Sequence, residues 1–147
     1  MVKVAMMIFG VAFLTACSIP KVRLVVETRD PQNSVIERGE ISNADTSGRE
    51  FRINSGGSIV FNASADDSDG LAALDVLGGF SCNRSGTVQQ GVFNSPGPNL
   101  SAHPTSANMQ ATYQVQCVGG TYTGSAQACA TSAKNASRSC TPNATFK

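Results

Sequence analysis

Five cysteines, one histidine and a tight acidic cluster are the residues of this chain whose types and spacing suit chemistry. Cys82, Cys117, Cys129 and Cys140 occupy the C-terminal half, while Cys17 stands apart near the N-terminus. No two of them have the C-x-x-C spacing of a redox centre or zinc knuckle, and the lone His103 lies among loop residues beside Pro104. In an exported chain an even set of four cysteines is a disulfide framework, not a metal or redox site. Three pairings are formally open. Cys129 and Cys140 flank the polar stretch ATSAKNASRS, whose Asn135 suits a turn. A hairpin there would set the two at the ~5–6 Å Cα spacing of a disulfide, which leaves Cys82 for Cys117.

The acidic cluster is Asp66, Asp67 and Asp69 with Gly70. Carboxylates followed by a glycine suit calcium, a hard cation that takes several oxygens around a sharp turn. Only half of a D-x-D-x-D-G loop is present, since Ala65 stands where the first ligand belongs and no Glu closes the far side. The stretch therefore reads as an Asx-rich turn, with calcium the weaker alternative. His103 has no G-x-S-x-G or S-x-x-K motif beside it, and the spacing of Glu50 and Asp75 forms no paired-acid site. These readings give no catalytic residue, no metal and no cofactor.

Cys17 requires the N-terminus to be read. Met1-Val2-Lys3 supplies one positive charge, and Val4 to Leu14 carry none. That run is shorter than the roughly 20 residues of a membrane-spanning helix and fits the apolar part of a secretory signal peptide. Ordinary cleavage after Ala16 would place bulky Leu14 where a small residue is needed, whereas cleavage after Ser18 would release a soluble secreted protein. Leu14-Thr15-Ala16-Cys17 resembles the lipobox of bacterial lipoproteins. The resemblance implies that residues 1–16 are a cleaved signal peptide and that Cys17 becomes the lipid-modified, palmitate-bearing first residue. It further implies outer-membrane sorting in a Gram-negative host, because Ser18 and not Asp follows. Several acyl chains on one residue make a lasting anchor where one chain would not.

Removing 16 residues from 147 leaves 131, enough for a single domain over residues 22–147 behind a short tether, residues 17–21. Without Lys3 the mature chain balances ten basic against ten acidic side chains. That balance argues against nucleic acid, which needs a basic surplus or stripe. Aromatics are few and tryptophan is absent, while Ser, Thr, Asn, Gly and Ala dominate in short alternating runs. KVRLVVETRD, SVIERGEISN, SIVFNASA, TVQQGVF and MQATYQVQC read as strands, with Ile59, Phe61, Ala63, Ala65, Ala111 and Tyr113 facing inward. EFRI and SIVFNASA read as a hairpin around NSGG. Leu71 to Leu77 reads as a strand rather than a helical turn, because Gly78-Gly79 follows. The pattern predicts an all-β fold, a β-sandwich of about seven or eight short antiparallel strands.

GGSIVFNASADDSDGLAALDVLG and the tail SAQACATSAKNASRSCTPNATFK are similar to strand–turn–strand segments of bacterial Ig-like and PKD-type domains. The similarity covers roughly residues 56–147. It implies an Ig-like sandwich and an adhesive, spacing or binding role. Residues 94–108 hold three of the six prolines and are the first choice of contact loop. Tyr122 is a weak sugar-contact candidate. The N-x-S/T matches at Asn62, Asn83, Asn135 and Asn143 are taken as compositional in a bacterial chain. The function expected is that of a membrane-anchored, non-catalytic module binding an envelope or extracellular protein or glycan. The alternative is a periplasmic inhibitor that blocks a hydrolase cleft with one loop.

Overall fold

The computed structural model describes residues 17–147, so the signal peptide expected over residues 1–16, with Leu14, Thr15 and Ala16 of the lipobox-like stretch, lies outside the described residues. Two sheets pack face to face as a β-sandwich. One contains β1 (Lys21–Arg29), β2 (Val35–Ser42), β4 (Ser58–Asp66) and β7 (Ser106–Gln114), in the order β2-β1-β4-β7. The other runs β3 (Arg49–Phe51), β10 (Ala144–Phe146), β8 (Thr121–Ser132), β5 (Leu71–Arg84), β6 (Thr87–Ser95), with β9 (Arg138–Cys140) also paired to β8.

Alternation explains the faces. Val22, Leu24 and Val26 of β1 and Ile59, Phe61, Ala63 and Ala65 of β4 turn inward and are buried, because successive strand side chains point to opposite faces. Phe61 and Phe93 sit at the centre of the aromatic cluster, and the Phe61 ring centroid lies 5.5 Å from Phe93, 5.7 Å from Tyr113 and 5.8 Å from Phe146. Edge-to-face packing of this kind adds to the area term and helps a core without tryptophan. Glycines let chains approach where the larger sheet is most crowded. A Cβ on Gly78 would fall 2.0 Å from the Ser125 carbonyl oxygen, and one on Gly91 would fall 2.2 Å from the Phe80 ring. β5 therefore runs straight through Gly78-Gly79, and Phe80 lies over the space that Gly91 leaves.

Three expectations need correction. Ten strands form among the described residues, more than the seven or eight expected, and the stretch after the Asn135 turn, expected as one strand, divides into β9 and β10. β3 and β4 are not a hairpin. β4 pairs β1 and β7, whereas β3 crosses to the other sheet and pairs β10 in parallel, with Phe51 opposite Phe146. That crossing stacks the two rings at 6.0 Å and places both in the core. The same β3–β10 pair means that the strands are not all antiparallel.

Register defines two ends. Lys21 opposite Asp66, Asp66 opposite Ser106, and Leu71 opposite Ser132 mark one end. Arg29 opposite Ser58, Ser58 opposite Gln114, and Asn83 opposite Thr121 mark the other.

Candidate functional site

Cys17 precedes β1 by three residues and is exposed, and the residue after it is held by the domain. The Ser18 N–H donates to Asp69 Oδ2 at 3.1 Å. Its hydroxyl donates to Asp69 Oδ2 at 3.0 Å and also to Asp67 Oδ1. From the β8–β9 turn, Asn135 Nδ2 donates to the Ser18 carbonyl at 3.4 Å, and the Lys134 ammonium lies 3.3 Å from Asp69 Oδ1. One step along, Pro20 is buried, and Asn43 Nδ2 donates to its carbonyl at 2.9 Å while Asn43 Oδ1 accepts the Val22 N–H at 3.0 Å. Ile19 between them is 67% exposed. Residues 17–21 are thus a fastened segment, not a loose tether, and β1 already begins at Lys21.

The acidic turn is built for this seat. Asp67 Oδ1 accepts the Asp69 N–H at 2.9 Å, the Asx turn expected from the sequence, and its own N–H donates to the Thr105 carbonyl. Gly70 has φ +87°, and a Cβ there would lie 2.6 Å from the His103 carbonyl oxygen, so the tight turn requires glycine. Asp67 is buried. Burial alone would raise its pKa, but hydrogen bonds from Ser18 and from the Asp69 N–H, with help from the Ser132 hydroxyl, hold it below the usual carboxylate range. Ser132 approaches outside hydrogen-bonding geometry, which leaves Asp67 Oδ2 and Ser132 Oγ buried without a formal partner. Ser18, first through its N–H and then its hydroxyl, lowers Asp69 as well, and Lys134 adds to this. Asp66 points away exposed from the end of β4, Asp67 and Asp69 serve Ser18, and no metal-holding group of three ligands forms among the described residues.

Cys82 is bonded to Cys117 and Cys129 to Cys140. Cys129 and Cys140 are direct partners across β8 and β9, with Cα atoms 4.1 Å apart, so the hairpin argument for this pairing matches the register. Among the described residues Cys17 is the free cysteine.

The loop expected over residues 94–108 is shorter, residues 96–105, because β6 runs to Ser95 and β7 starts at Ser106, and it lies at the same end as Ser18. Leu100 is buried, the Pro104 carbonyl accepts the Leu71 N–H at 2.9 Å, and Gly97 packs on the Leu74 carbonyl. The loop is therefore a wall of the sandwich, not a free arm. His103 is exposed on it at φ +48°. Tyr122 is 9% exposed and stacks on Phe80 at 5.5 Å, which removes it as a sugar contact. Asp75 pairs with Arg138 and Glu50 with Lys147. A broad open groove of about 640 Å³ crosses the outer face of β5, β6 and β8, and no titratable side chain lines it.

The Ser18 seat had no sequence signal. Its donors and acceptors are Ser, Asn and Asp residues that read as local turn formers, and the contacts span 49 to 117 residues. No protein-family model matches the chain, and no curated protein matches it.

Proposed function

We propose that the chain is a bacterial lipoprotein, acylated on Cys17 and held in the outer membrane, whose sandwich is a non-catalytic binding, adhesion or envelope-structural module. The observation that carries this reading is the division of the cysteines. Two bridges consume four of them, and the fifth stays exposed immediately ahead of the fold, at the position the lipobox resemblance marks. The neutral side-chain balance and a groove without titratable groups support a role in contact rather than catalysis.

The contact surface of this reading is the end opposite Cys17. There Val88 and Val118 are 53% and 68% exposed, in segments braced by the Cys82–Cys117 bridge. A braced loop orders little on binding, which saves the entropy that a mobile one loses. The inhibitor reading would need residues 94–108 as a projecting plug, whereas the loop over residues 96–105 is held to the domain by Gly97 against the Leu74 carbonyl, by buried Leu100 and by the Pro104 carbonyl on the Leu71 N–H. Metabolic labelling with an alkyne fatty acid in a Gram-negative host tests the proposal. The wild-type protein takes up label and Cys17→Ser does not. Equal labelling of both, or none on the wild type, contradicts it.

A further inference from the structure

We propose that the Asp67–Asp69 pair is a clasp for Ser18 that fixes the domain on the bilayer with one end down, residues 43–48, 67–70 and 133–137 facing the lipid. This rests on the reading of Cys17 as the acylated residue. Four loose residues, 17–20, would span up to roughly 14 Å and let the domain tumble above the headgroups. The clasp removes that freedom. The Ser18 N–H, hydroxyl and carbonyl are all engaged by the domain, from the β4–β5 turn and the β8–β9 turn together. Consecutive Cα atoms lie about 3.8 Å apart, so acyl chains on Cys17 must enter the bilayer beside the clasp.

Two further observations agree. Ile19 is 67% exposed on this end, next to the anchor, where an apolar side chain gains by entering the headgroup boundary. The carboxylate of Asp67 is buried, and its Oδ1 takes the Ser18 hydroxyl together with the Asp69 N–H, so the buried charge is matched in part by Ser18 itself. The charged side chains at this end are Lys21, Lys134 and Arg138 against Asp45, Asp66, Asp67, Asp69 and Asp75, with His103 on the neighbouring loop, so attraction to anionic lipid is not what holds it down. The covalent anchor and the clasp do so. The end carrying Val88, Val118 and Lys147 then faces away from the membrane.

The lysines of the described chain report the orientation. Lys21 and Lys134 lie at the clasp end and Lys147 at the other, where its carbonyl accepts the Ile53 N–H. The acylated protein is reconstituted in phosphatidylethanolamine–phosphatidylglycerol vesicles, its acylation confirmed by intact mass, and labelled with a bulky membrane-impermeant amine reagent. Lys21 and Lys134 should react more slowly than Lys147, although Lys147 is paired with Glu50. The triple variant S18A/D69A/N135A loses the three contacts donated by Ser18 and the one its carbonyl accepts, and Lys21 should then react as fast as Lys147. Circular dichroism and the masses of the two bridges establish that this variant is folded. Equal rates in the wild type overturn the orientation. A slow Lys21 that persists in the folded variant overturns the clasp. A protein without acyl groups overturns the lipoprotein reading, and the clasp proposal with it.

Discussion

At the scale of single residues, Phe61 and the Asp67–Asp69 pair carry the most. Phe61 touches three other aromatic rings and is fully buried. Phe61→Ala should cost about 3–5 kcal/mol, a large part of the 5–15 kcal/mol typical of a domain, and urea unfolding reads this directly. A loss under about 1 kcal/mol would mean that the core closes around the hole. Both Asp67 and Asp69 have folded pKa values lowered from 3.8. Their contribution is complete above pH 3.8 and is lost as the pH falls through the lower folded values, because the protonated carboxyls no longer bind Ser18 and Lys134 as anions. A pH series of melting temperatures should show this acid-side loss reduced in D67N/D69N, and an identical acid slope would contradict it. Calcium should leave the melting temperature unchanged, since these carboxylates already serve Ser18 and Lys134, and a clear rise would restore the metal reading.

At the scale of elements, each bridge closes a different loop. Loop-entropy reasoning gives about 4 kcal/mol for Cys82–Cys117 and about 3 kcal/mol for Cys129–Cys140. Replacing Cys129 and Cys140 together by Ala should lower the melting temperature by about 10 °C, with the far-ultraviolet spectrum preserved; an unchanged melting temperature would show the hairpin to be held by β8–β9 pairing alone. The strands themselves were legible to different degrees. Ile59, Phe61, Ala63 and Ala65 declare their face because period-two alternation is local information. The hairpin of Cys129 and Cys140 is legible for the same reason, since turn and partners lie within a dozen residues. Which strand pairs with β3 is not, because Phe51 finds Phe146 across nearly the whole domain. The Ser18 seat failed to show for that reason too. Asp67, Asp69 and Asn135 fit turns so well locally that nothing marks them as partners of a distant serine.

At the scale of the whole molecule, the two ends of the sandwich have different properties. One holds the fastened Cys17 segment, the acidic turn and the loop over residues 96–105, and the other holds a bridge with exposed valines beside it. On the proposed reading, the first end carries the anchor and the second a braced contact surface, an arrangement for presenting a small module from a membrane. The central claim is that Cys17 is the lipid-bearing first residue of a doubly bridged chain. Intact mass of the protein extracted from membranes tests it most directly. The account predicts residues 17–147 plus acyl groups on Cys17, less the four hydrogens lost in two disulfides. A mass equal to residues 19–147 without lipid would contradict it.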